Sequence, residues 1–174
     1  MNYNKEKSIE ILKRTPEVLK TLLSDLHADW VINNEGPETF SPYDIIGHLI
    51  HGEKTDWRNR TMIILDHGVS KTFEPYDRFA QERESKGKTI DQLLEEFALL
   101  RKKNMEWFRS LQLTEAALDK QGLHPVLGPV TLRQLLSTWV IHDLTHISQI
   151  TRVMAKQYKE EIGPWLEFFR VMNF

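Results

Sequence analysis

The sequence predicts an all-α protein: a bundle of four main helices with a short extra helix at the carboxyl end. Two observations predict it. Four long segments carry apolar residues at three- and four-residue spacing, each interrupted or bounded by proline, glycine or a capping side chain. No succession of alternating apolar and polar residues announces a sheet. Four such one-sided faces are buried most simply against one another.

The first segment runs from about Lys5 to Leu26, with Ile9, Leu12, Leu19, Leu22 and Leu23 on one side. Pro16 should kink or break it near Thr15, because proline lacks the N–H of a helix interior and crowds the preceding turn. Asn33-Asn34-Glu35-Gly36-Pro37 reads as a loop. Ser41-Pro42 then opens the second helix, serine as cap and proline at the first position, and Gly68 closes it. Its apolar positions include Ile45, Ile46, Leu49, Trp57, Ile63 and Ile64.

From Val69 to Lys88 the chain is polar, with Pro75 and Gly87 inside. It is too long for a simple turn and is expected to form a lid or ordered loop over a site. Thr89 caps the third helix, whose face holds Leu93, Leu94, Phe97, Leu100, Trp107 and Phe108. Gly122 to Pro129 reads as an irregular connector. Thr131 caps the fourth helix through Leu132, Leu135, Leu136, Trp139, Ile147, Ile150 and Val153, and the last short helix spans Pro164 to about Met172.

The 174 residues suit one domain, 1–174, large enough to enclose a hydrophobic core. With 23 basic and 25 acidic side chains the net charge is −2, which offers no general attraction for nucleic acid or for anionic membranes. No cysteine is present, so disulfides, thiolate ligands and a cysteine nucleophile are excluded. The amino terminus lacks a secretory apolar stretch and no apolar run approaches a bilayer span, so a cytoplasmic protein is expected.

Chemistry concentrates at His142-Asp143-Leu144-Thr145-His146. Residues four apart share a helix face, so both imidazoles can converge on one ion. Alone the pair is a modest signal, since two histidines partly buried beside a core would show the same spacing. His48, next to the apolar stripe of the second helix, adds a third nitrogen ligand. Three imidazoles make the shell of an open divalent-metal site with one position left for water or substrate. Asp143, Asp44 and Gln149 are candidates to accept the outer ring N–H groups. Glu53 has two readings, a general base or a solvated helix residue. His51 is a possible fourth ligand but reads better as a hydrogen-bonding residue; His124 is a loop residue, and His27 and His67 lie near helix ends.

His48, Glu53 and Trp57 together, and Gly128-Pro129-Val130-Thr131-Leu132-Arg133-Gln134-Leu135-Leu136 followed by Trp139, His142, Asp143, His146, Gln149 and Ile150, resemble the DinB/YfiT-like family across nearly the whole chain. The resemblance implies a DinB-like four-helix bundle, with one histidine of the second helix and two of the fourth around a metal. It implies a metal-dependent hydrolase or a thiol-dependent transferase acting on a small molecule. The expected cofactor is one divalent ion, zinc or nickel first, with a low-molecular-weight thiol as cosubstrate. Thr145 stands where many members carry an aromatic and Ser148 where glycine is frequent; neither is a ligand, but both bear on the pocket.

Two rival metal readings are weaker. A degenerate zincin with Glu167 as third ligand lacks the glutamate that should follow the first histidine, since Asp143 stands there. A di-iron bundle would need Glu-x-x-His, which does not occur. A non-catalytic metal- or ligand-binding bundle stays open as the alternative of another class. Apolar surface left over by the bundle makes a homodimer a further expectation.

Overall fold

The computed structural model describes residues 2–173. Helix α1 (Lys5–Leu12) is capped by Asn4, whose Oδ1 accepts from Lys7 N–H, and α2 (Thr15–Leu23) restarts with Pro16 in its first turn. The break expected at Pro16 is therefore real. A proline in a first turn loses no internal hydrogen bond, which is why the chain restarts there rather than bends. A short helix α3 (Ala28–Ile32), which no sequence signal announced, precedes the predicted loop.

The second expected helix divides in two, α4 (Pro42–Thr55) and α5 (Trp57–His67), at Asp56, where φ is −105° and ψ −76°. Ser41 and Asp44 cap α4 reciprocally, each side chain accepting from the other's backbone N–H. The polar connector folds into a 3-10 turn (Gly68–Ser70), an extended stretch and α6 (Ala80–Glu84). Gly47 lets α6 lie close on α4: a Cβ there would stand 2.3 Å from Ser85 Oγ and 2.8 Å from Gln81 Cβ.

Helix α7 (Ile90–Ser110) and helix α9 (Leu132–Lys156) are the long members, each begun by a reciprocal capping box, Thr89 with Gln92 and Thr131 with Gln134. Between them lie α8 (Glu115–Leu118) and an antiparallel hairpin, β1 (Gln121–His124) and β2 (Gly128–Thr131), pairing Gln121 with Thr131 and His124 with Gly128. This hairpin corrects the expected irregular connector. Gly122 is obligatory in it, since a Cβ would press within 2.6 Å of Ile64 and 2.7 Å of Phe73. At the carboxyl end two 3-10 turns, Gly163–Phe168 and Arg170–Asn173, replace the expected helix and leave Trp165 and Phe168 exposed.

Two apolar clusters fill the bundle. One joins Leu12, Trp57, Ile64, Phe73, Met105, Phe108, Leu136 and Trp139; the other joins Leu19, Leu23, Ile45, Ile46, Leu49, Phe97 and Ile150. Helices α7 and α9 run through both. Charged residues from their middle turns, Arg101 and Asp143, meet Glu53 near the end of α4 with almost no solvent access. No helix among the described residues is long and apolar enough to cross a membrane.

Candidate metal centre

His48 projects from α4, and His142 and His146 from adjacent turns of α9. Their Nε2 atoms converge: His48 and His142 are 3.1 Å apart, His142 and His146 3.2 Å. The three ligand atoms lie within 4.8 Å of one another. A tetrahedral ion with M–N bonds of about 2.0 Å separates its ligands by about 3.3 Å, so the spacing fits such a centre with little adjustment.

The outer nitrogens orient the rings. His146 Nδ1 is 2.8 Å from Gln149 Oε1. An amide oxygen only accepts, so this ring carries its proton on Nδ1 and turns the Nε2 lone pair inward. His48 Nδ1 is 3.2 Å from the Tyr76 hydroxyl, which donates to the His48 carbonyl at 3.1 Å. Tyr76 comes from the connector before α6. Its only trace in the sequence is an aromatic in a polar stretch. The edge-on ring of Trp57 packs at 5.1 Å from His142, whose Nδ1 is buried with no hydrogen-bond partner among the described residues.

Burial keeps these rings neutral. It drives His48 down to about 3, with smaller contributions from His146, His51 and Arg78. It drives His142 down to about 2, helped by His146, His48 and Arg101. His146 is lowered too, burial outweighing Gln149 and Asp143, which favour its charged form. Neutral imidazole is the ligand form, so the donor set suits a borderline divalent cation.

The other candidates have different tasks. Asp44 Oδ2 accepts from the Ser41 N–H and hydroxyl and belongs to the α4 cap. Asp143 gives both oxygens to Arg101 rather than to a ring nitrogen. Glu53 is buried, not solvated. Its Oε1 accepts from Arg101 Nη2 at 2.9 Å and Trp139 Nε1 at 3.0 Å, and its Oε2 from Asn104 Nδ2 at 2.9 Å. A general base must be free to reach a substrate proton, and this carboxylate is held inside the bundle. Burial alone would lower Arg101, but Glu53 and Asp143 more than offset it and keep the guanidinium charged.

His51 Nδ1 lies 3.0 Å from Glu84 Oε1, a bond between α4 and α6. His27 accepts from Asp29 N–H at the start of α3, and His67 is the last residue of α5. His124 Nδ1 accepts from Val126 and Leu127 N–H across the hairpin tip.

The histidine cluster opens on a cleft of about 710 Å³, a size suited to a small molecule. Its walls bring together Phe40, Trp57, Tyr76, Arg78, His124 and Leu135. The connector expected to form a lid or ordered loop supplies Phe73, Tyr76 and Arg78. Asp56 also lines it; burial pushes its carboxyl up to about 6 against the pull of Arg60 and His51.

No curated protein matches the chain. Among solved structures, YfiT from Bacillus subtilis, described as a probable metal-dependent hydrolase with an unusual four-helix bundle topology, superposes with a TM-score of 0.75. Identity is 20%, and the superposition covers 91% of this chain and 94% of that one, a likeness of fold. The family model of the DinB superfamily matches residues 11–150, which takes in every element from α2 through the three histidines, and the chain belongs to that superfamily.

Proposed function

We propose that the protein is a metal-dependent hydrolase or thiol-dependent transferase for a small molecule, with His48, His142 and His146 as ligands of one divalent ion. The observation that carries this is three neutral imidazoles, His48 buried and His142 and His146 partly buried, aiming Nε2 at one point on the wall of a cleft. An ion held there supplies Lewis-acid chemistry, lowering the pKa of a small nucleophile, water in hydrolysis or a thiol in transfer. The likeness to YfiT, itself described as a probable metal-dependent hydrolase, supports the hydrolase branch.

The chain's own contribution is positioning. Gln149 holds His146 in the tautomer with a free inward lone pair, and Tyr76 holds the plane of His48. Trp57 packs against the His142 ring. Zinc and nickel both suit three imidazoles, so elemental analysis of protein purified without a metal-affinity tag identifies the ion. A screen of esters, amides and thiol-plus-electrophile pairs, with metal-stripped protein as control, then separates the branches. Turnover without added thiol selects hydrolysis; turnover only with thiol selects transfer. Equal rates after complete metal removal would refute both.

The engagement of Glu53 favours a second reading. The carboxylate that the sequence offers as a base is tied to Arg101, Asn104 and Trp139, which suits a bundle that holds an ion and a ligand without turning it over. Tight metal binding with no rate in any arm of the screen would support that module.

A further inference from the structure

Two guanidinium groups line the cleft, and they differ in their partners. Arg60 is ion-paired with Asp56 on the adjacent turn, and its Nη2 donates to the Glu74 carbonyl. Its charge is matched inside the wall. Arg78 makes no ion pair among the described residues, although Asp77 precedes it, because the Asp77 carboxylate is taken by Arg83 and by Phe79 N–H. Arg78 is held instead by two rings, its guanidinium carbon 5.7 Å from the centroid of Phe40 and 5.7 Å from that of Phe79. The Phe40 centroid is in turn 5.9 Å from that of His48. One aromatic ring thus stands against both the cation and a member of the histidine cluster, and all three residues line the same cleft.

The geometry points to an organic carboxylate with a short apolar body as the substrate class. Its carboxylate sits on Arg78, its body runs along Phe40, and its reacting group faces the three histidines. This rests on the metal-centre reading above. The physical reasons are three. A guanidinium lying on aromatic faces keeps the N–H donors at its edge for a planar acceptor, and carboxylate matches that fork with two parallel bonds. Arg78 is exposed at the cleft, and its contacts with the two rings restrict the cation before the ligand arrives, so less side-chain freedom is lost on binding. The wall between cation and imidazoles is an aromatic ring, which favours an apolar spacer over a polar one.

Three probes test it on the zinc- or nickel-loaded full chain by calorimetry. Benzohydroxamate chelates the ion alone; 4-carboxybenzohydroxamate adds the anion one ring away; 4-carbamoylbenzohydroxamate is its neutral counterpart. The carboxyl probe is expected to bind the wild type about tenfold tighter than the carbamoyl probe. In Arg78→Gln that ratio should fall to about one, with benzohydroxamate unchanged; Arg78→Lys should restore part of it. A wild-type ratio of one, or a ratio that survives in Arg78→Gln, overturns the assignment. A parallel titration of metal-stripped chain with phenylacetate and phenylacetamide, followed by NMR, separates the two readings. If no hydroxamate binds but phenylacetate is preferred through Arg78, the carboxylate site stands and the metal centre falls. If hydroxamates bind but neither arm depends on Arg78, the centre stands and the carboxylate site falls.

Discussion

Arg101 has almost no access to bulk water, and its guanidinium donates to Asp143, to Glu53 and to the carbonyl of Leu12 at the end of α1. Asp143 follows a proposed ligand in sequence and Glu53 lies five residues after another, so one cation ties both ligand-bearing helices together. Removing one member of such a group leaves buried charge unpaired, which costs far more than the intact group contributes. Arg101→Met is expected to lower stability by about 3–5 kcal/mol in urea unfolding. Glu53→Gln, which keeps the size and one acceptor, should fall short of that. His146→Ala, by contrast, should leave stability of the metal-free chain little changed and reduce bound metal well below the wild-type stoichiometry; full retention would remove it from the ligand set. The three converging histidines were legible in the sequence because His48 adds a third imidazole to the pair at i and i+4, a pair that alone is a modest signal. Arg101 was not, since it opens the run Arg101-Lys102-Lys103 and reads as a solvated face. Its phase was the available signal: Phe97, Arg101, Asn104, Met105 and Phe108 share one buried stripe.

Among the elements, helices announced by caps were found where the capping side chains stand, at Ser41, Thr89 and Thr131. What escaped was short or local. The hairpin has four-residue strands that contain Gly122 and Pro129, residues depleted in strands, so its composition says turn while its pairing is set by contact with Ile64 and Phe73. The break at Asp56 carries neither glycine nor proline. Helix α6 has no apolar periodicity of its own; it is held by its fit on Gly47 and by Tyr43, whose hydroxyl donates to the Ser85 carbonyl. That fit makes a prediction. Gly47→Ala gains helix propensity in α4, worth about 1 kcal/mol, but drives a methyl into Ser85 and Gln81, and overpacking of this kind costs about 1–3 kcal/mol. Net destabilisation with a loss of metal affinity is expected, because a shifted α6 displaces the connector that carries Tyr76. Adding Ser85→Ala removes the closest clash and should recover part of both. If Gly47→Ala is as stable as wild type and binds metal equally well, α6 does not depend on that contact.

At the scale of the whole molecule, acid should weaken the metal-free protein, and the sign follows from which state binds protons first. An unfolded chain protonates its histidines near 6.5, whereas the folded chain resists until about 3 at His48 and about 2 at His142, with His146 lowered as well. Between those limits the unfolded state holds more protons, so stability is full above pH 6.5 and drains away as pH falls below it. His48 and His142 each account for roughly 1–2 kcal/mol lost by pH 5, and His146 acts in the same direction. Asp56 acts in the opposite sense: its folded pKa of about 6 exceeds its ordinary 3.8, so the folded state takes up a proton as pH falls through 6 and gains stability there. Three groups against one leave a net loss. Both apolar clusters share α7 and α9, so the loss should appear as a shift of one cooperative transition, coincident by near- and far-ultraviolet circular dichroism. Urea unfolding of the metal-stripped chain at pH 7.5 and pH 5 measures the difference. His142→Gln should shrink it by about one imidazole's share, and Asp56→Asn should enlarge it. A wild-type stability that does not change between those pH values would mean that the three rings are solvated in the absence of metal, and that the centre is assembled by the ion rather than waiting for it.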